Sequence, residues 1–125
     1  MNKKAIELPV KNDFLETVIN SIDDKKGENT VLIDLKNIDN SIANYFVITE
    51  ADSHTQVKAI SDNVQRKVKE IAHQKPFGVE GEENAEWILL DYGDIIVHVF
   101  YRPVREYYDL ESLWGDAEVL PVNTK

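Results

Sequence analysis

The sequence predicts an α/β (α+β) fold, a mixed sheet of roughly five strands with helices packed mainly on one face. Three observations carry that prediction. Two segments repeat apolar residues at the 3–4 spacing of a half-buried helix. Five short runs rich in β-branched, aliphatic and aromatic residues are spread around and after them. Two of those runs flank a short polar turn, which marks a hairpin. The predicted order is α-β-β-α-β-β-β-α. The chain has 125 residues, no repeat and no Pro/Gly/Ser linker, so one domain over residues 12–120 is expected. Residues 1–11 are expected to be a loose lead-in, and 121–125 a tail.

Asn12 or Asp13 can cap the first helix, with Glu16 completing a capping box if Asp13 is the cap. Leu15, Val18, Ile19 and Ile22 form its apolar stripe, and Gly27 is placed to follow the C-cap. Residues 30–35 and 45–49 predict two strands joined by a loop or single turn. Ser53 and Gln56 have capping-box spacing at the head of the second helix. Its buried stripe is Val57, Ile60, Val64, Val68 and Ile71, and Pro76 forbids continuation. Residues 77–81 suit a short edge strand. Residues 87–91 and 94–100 predict the hairpin around Tyr92-Gly93. Pro103 opens a closing helix through Tyr107, Tyr108, Leu110, Leu113 and Trp114, with a break expected at Asp109 and an end at Gly115.

With Tyr92-Gly93 as the loop, Asp91 is expected opposite Asp94, Leu89 opposite Ile96 and Trp87 opposite His98. One hairpin face then carries Ile88, Leu90, Ile95, Val97 and Val99, which must be core. The other sets two facing carboxylates beside Trp87, Leu89 and His98. Facing like charges need compensation, from a partner's Lys or Arg or from Arg102 or Arg105 folding back. Ordinary solvated turn residues are the simpler alternative for the two Asp.

The formal charge of −9 has a location. Residues 1–79 carry 12 acids and 11 bases, whereas residues 80–118 carry 11 acids and only Arg102 and Arg105. Such a surface repels phosphate backbones and attracts basic protein. No apolar run reaches membrane-span length, and the N-terminus has no apolar signal core. The absence of Cys excludes thiolate metal sites and thiol nucleophiles and fits a reducing cytosol. His54, His73 and His98 form no close ligand pair. There is no phosphate-binding glycine loop and no Gly-x-Ser-x-Gly elbow. No catalytic residue, metal or cofactor is expected.

Residues 86–100 read Glu-Trp-Ile-Leu-Leu-Asp-Tyr-Gly-Asp-Ile-Ile-Val-His-Val-Phe, and residues 105–115 read Arg-Glu-Tyr-Tyr-Asp-Leu-Glu-Ser-Leu-Trp-Gly. Together they resemble the signature of the ribosomal silencing factor family (RsfS, Iojap-related). Tyr45-Phe-Val-Ile-Thr49, Ser53-His54 and Ala59-Ile60 are similar to the same family. The resemblance covers about residues 12–120. It implies a cytoplasmic, non-enzymatic translation repressor and suggests a homodimer. Such a repressor binds the large ribosomal subunit through a basic ribosomal protein, number fourteen of that subunit, without sequence-specific nucleic-acid contact or membrane. There it sterically blocks joining of the small subunit when nutrients are scarce. The resemblance also implies a nucleotidyltransferase-like architecture. That superfamily's Gly-Ser turn is replaced here by Thr49-Glu-Ala-Asp-Ser53, and the later strands offer no Asp-x-Asp. A ribosome-assembly factor without silencing activity and a metal-dependent nucleotidyltransferase-like enzyme remain the alternatives. The expected partner-binding residues are Trp87, Leu89, Asp91 and Asp94 on the hairpin, with Tyr108, Glu111 and Trp114 at the edge of the closing helix.

Overall fold

The computed structural model describes residues 6–7, 11–115 and 117–124. In chain order the elements are β1 (Ile6–Glu7), α1 (Asp13–Asp24), β2 (Glu28–Asp34), β3 (Tyr45–Ala51), α2 (His54–Ala72) and β4 (Gly78–Glu80). They continue with β5 (Trp87–Asp91), β6 (Ile95–Tyr101), α3 (Arg102–Tyr108), α4 (Leu110–Leu113), β7 (Glu118–Pro121) and β8 (Asn123–Thr124). Six strands form a mixed sheet in the order β4-β5-β6-β3-β2-β7. Only the central β3–β6 pair is parallel, because α2 carries the chain across between them. β1 pairs with β8, so two residues expected in the lead-in meet two expected in the tail.

Cap chemistry fixes both long helices. Of the two candidate caps, Asn12 starts α1: its Oδ1 accepts the Leu15 N–H at 3.0 Å. At the other end the Lys26 N–H donates to Asp23 O and the Gly27 N–H to Ile22 O, which is a Schellman motif. The left-handed residue is Lys26, at φ 61°, and not Gly27. Gly27 is required for space instead, since a Cβ there would stand 2.4 Å from Ile22 Cγ2 and 2.7 Å from Thr49 Oγ1. Ser53 caps α2 by accepting the Gln56 N–H at 3.1 Å. The Gln56 side chain does not close the expected box. It donates to the carbonyls of Lys25 and Lys26, tying the start of α2 to the end of α1. Ile71, expected in the buried stripe of α2, is 60% exposed. The stripe steps four residues from Val68 to Ala72, which packs on the core, and Ile71 falls off that line.

The sheet separates two cores. On one face Val18, Ile22, Val57, Ile60 and Val64 of the helices meet Leu32, Val47, Ile88, Leu90, Val97 and Val99. On the other, Ile33, Phe46, Ile48, Ile96 and Phe100 are covered by Leu110 and by half-buried Trp114, Trp87 and Leu89. The closing helix breaks at Asp109, which is left-handed at φ 46°, and this kink lets α4 turn Leu110 onto the second face.

Two expectations need correction. The sheet has a sixth strand, β7, pairing with the edge of β2. It lies beyond the last predicted helix and ends on Pro121, past the boundary expected at residue 120. The hairpin register also differs by two residues: Trp87 faces Phe100, Leu89 faces His98 and Asp91 faces Ile96. The Tyr92 N–H bonds Ile95 O, so the loop is Gly93-Asp94, with positive φ at Gly93 alone. That is the pattern of a II′ turn. A shift of two preserves the faces, so the aliphatic set is core as expected. The facing carboxylates do not exist.

Candidate partner-docking face

The second sheet face is where the expected docking residues gather. Trp87 lies on β5, half-buried, with its ring on Phe100 at 4.9 Å between centroids and 27° between planes. Tyr108 from α3 approaches the same indole at 4.9 Å and is itself 49% exposed. The Trp87 indole N–H donates to His98 Nδ1 at 3.0 Å. His98 is buried, with Phe46 edge-on at 4.6 Å. Burial pushes its imidazole down to about 4, so the ring is neutral near pH 7. Leu89, half-buried, sits between His98 on β6 and Glu80 on β4 in the same cross-strand row.

Asp91 shares this face, opposite Ile96 on one side and Gly78 on the other. Its carboxylate accepts the Gly93 N–H at 2.8 Å, bracing the turn. Asp94 is in the loop and exposed, so it is not in the row with Trp87 and Leu89. Trp114 lies edge-on to Phe46 at 5.7 Å, half-buried, as part of the cover of the second core. Glu111 is not a free acid: its carboxylate takes the Arg105 guanidinium at 2.9 Å. The structure thus unites Trp87, Leu89, Asp91 and Tyr108, and places Glu111 and Trp114 in structural contacts.

Neither arginine of the acidic stretch folds back to the hairpin aspartates. Arg102 pairs with Glu28, with Glu50 at 2.6 Å and with Asp52 at 2.8 Å. Arg105, buried, bonds Glu50 at 2.9 Å and the carbonyl of Asn29, a left-handed residue where β2 bulges. Glu50 is therefore held by two guanidiniums, as a buried carboxylate must be. The same contacts engage residues 49–53, the segment that the sequence resemblance sets against the Gly-Ser turn of nucleotidyltransferases. Thr49 bonds Thr30 at 2.8 Å, Glu50 and Asp52 hold arginine, and Ser53 caps α2. Among the described residues no group of three or more His, Asp or Glu is arranged to hold a metal ion.

Sequence reasoning missed two contributors. Glu80 joins the face because β4 pairs with β5 in a register the sequence does not specify. Phe100 is the floor under Trp87, hidden by the two-residue register difference. Leu113, on α4, is 72% exposed. Among the described residues no helix is long and apolar enough to cross a membrane.

Comparison with known proteins assigns the chain to a family. The family model "Ribosomal silencing factor during starvation" matches residues 9–125. A ribosomal silencing factor of Halalkalibacterium halodurans is 41% identical over 108 residues, spanning 84% of this chain and 88% of its own. One from Bacillus subtilis is 38% identical over 120 residues, spanning 94% and 91%. A crystal structure of a Chromobacterium violaceum protein superposes with a TM-score of 0.78 at 39% identity, covering 82% of this chain and 84% of that one. With a matching family model over nearly the whole chain and relatives at this identity, the chain belongs to the ribosomal silencing factor family.

Proposed function

We propose that this chain is a cytoplasmic, non-enzymatic translation repressor. It docks on the large ribosomal subunit through a basic protein, number fourteen of that subunit, and stands in the path of the small subunit. The observation that carries this reading is the half-exposed Trp87, Leu89 and Tyr108 surface, with Glu80 in the row of Leu89 and Asp91 in the next. A partly exposed Trp on a rigid strand is the usual anchor of a docking surface. Carboxylates beside it steer a cationic protein and repel the phosphates around that protein. Arg102 and Arg105, the two bases of residues 80–118, are engaged elsewhere, so the acidity of the face is not neutralised by them. The committed side chains of residues 49–53 support the absence of phosphoryl transfer. A second copy of the chain would cover the same apolar surface when no ribosome is available.

Co-sedimentation with isolated subunits is the direct test. The chain should pellet with large subunits alone, and equal pelleting with small subunits sinks the steric mechanism. A subunit-joining assay then separates repression from an assembly role, because an assembly factor leaves joining unchanged.

A further inference from the structure

We propose that His98 is a positioning residue for the docking face: its unprotonated Nδ1 consumes the Trp87 indole N–H, so the anchor meets its partner with ring surface alone. The inference rests on the reading that this face docks. Three contacts fix the indole before any partner arrives. Phe100 lies beneath it, Tyr108 flanks it, and His98 accepts its only hydrogen-bond donor. Because Nδ1 accepts, the ring proton must sit on Nε2, which is buried without a hydrogen-bond partner. The imidazole is itself held by its place in the row between Leu89 and Ile48 and by the edge of Phe46. A Trp immobilised in advance loses little conformational freedom on docking.

The same geometry specifies the partner. An indole whose N–H is already used needs no acceptor across the interface, and a polar acceptor placed there would be left unpaired. The matching pocket is apolar, and a Lys or Arg at its rim can lie over the exposed ring or meet Asp91. A merely aromatic residue at position 98 would fill the space but release the N–H.

Nitrogen NMR of the full chain at neutral pH, paired with sedimentation on isolated large subunits, tests this. Trp114→Phe assigns the indole signals. Native His98 should show the tautomer protonated on Nε2, with a Trp87 indole proton slow to exchange with water. His98→Leu removes the acceptor, so that proton should exchange faster and binding should weaken by about tenfold. His98→Asn places an amide oxygen where Nδ1 was, and should return binding to within about threefold of the native level. A tautomer protonated on Nδ1 overturns the proposal, as does a folded Leu variant that binds normally, or an Asn variant as weak as Leu. If the Leu variant does not fold, the native tautomer and the Asn variant decide. Native chain that fails to sediment with large subunits refutes the docking reading, while the tautomer and indole exchange still judge the positioning role.

Discussion

The two faces of the sheet solve the same burial problem with different materials. The face under α1 and α2 is aliphatic, and its central residues Leu32, Val47, Val97 and Val99 are wholly buried. The face under α3 and α4 is aromatic and incompletely covered: Trp87, Leu89 and Trp114 stay half-buried and Leu113 stands out to solvent. The first uses two helices of 12 and 19 residues as cover. The second has helices of 7 and 4 residues, too short to roof six strands. Stability is therefore concentrated on one side, and the proposed docking surface lies on the other. Phe100 shows the boundary, being fully buried yet serving as the platform for a half-buried indole.

The largest effect should come from the covered face. Ile60→Ala removes most of a fully buried side chain between α2 and the sheet and should cost about 3 kcal/mol. Denaturant melts check the loss, and binding of the surviving folded protein should be unchanged. A comparable loss of affinity would show that the two faces are not separable.

The covered face was almost wholly legible in the sequence, and the open face only in part. Helical stripes and aliphatic alternation name Val57, Ile60, Ile88 and Val97 because one solvent-excluding contact dictates each residue. The hairpin register was not legible, since Tyr92-Gly93 and Gly93-Asp94 are both acceptable two-residue loops. Only pairing with β3 and β4 decides between them. β7 was invisible for a related reason: four residues ending in Pro carry little strand signal until β2 offers its edge. The Arg105–Glu50 pair joins residues 55 apart, and no local pattern announces it.

His98 brings a titratable group into the buried part of the open face, at only 3% exposure. Its folded value of about 4 lies below the ordinary 6.5 of an unfolded chain. Between those values the unfolded chain holds a proton that the folded chain refuses. Stability from this residue is complete above about pH 6.5, falls as the pH drops, and is lost by about pH 4. The total is about 3 kcal/mol, and urea melts of the native chain against His98→Leu should show the difference in slope across that window. Parallel slopes would mean that water reaches the imidazole and that the face is more open than its packing indicates.

Trp87→Ala moves the effect from stability to binding. It removes the part-exposed ring over Phe100, so affinity for large subunits should fall by about 2 kcal/mol, or roughly 30-fold. The thermal midpoint should drop less than for Ile60→Ala, because the indole already meets solvent. An equal drop would make Trp87 a core residue and remove the anchor from the face.

Asp91→Lys is the smallest change and the most diagnostic of charge. Its carboxylate faces Ile96 and braces Gly93, with no second carboxylate opposite, so reversal relieves no repulsion. The lost hydrogen bond at the turn should cost about 1 kcal/mol of stability. On the binding side a cation would now meet the partner's cations. Affinity should fall by about tenfold at low ionic strength, mainly through slower association, and part of the loss should return as salt is raised. A salt-independent loss would assign the effect to a deformed turn. Normal binding with a lowered melting temperature would confine Asp91 to bracing the hairpin and leave Glu80, across Leu89, to supply the acidic contact.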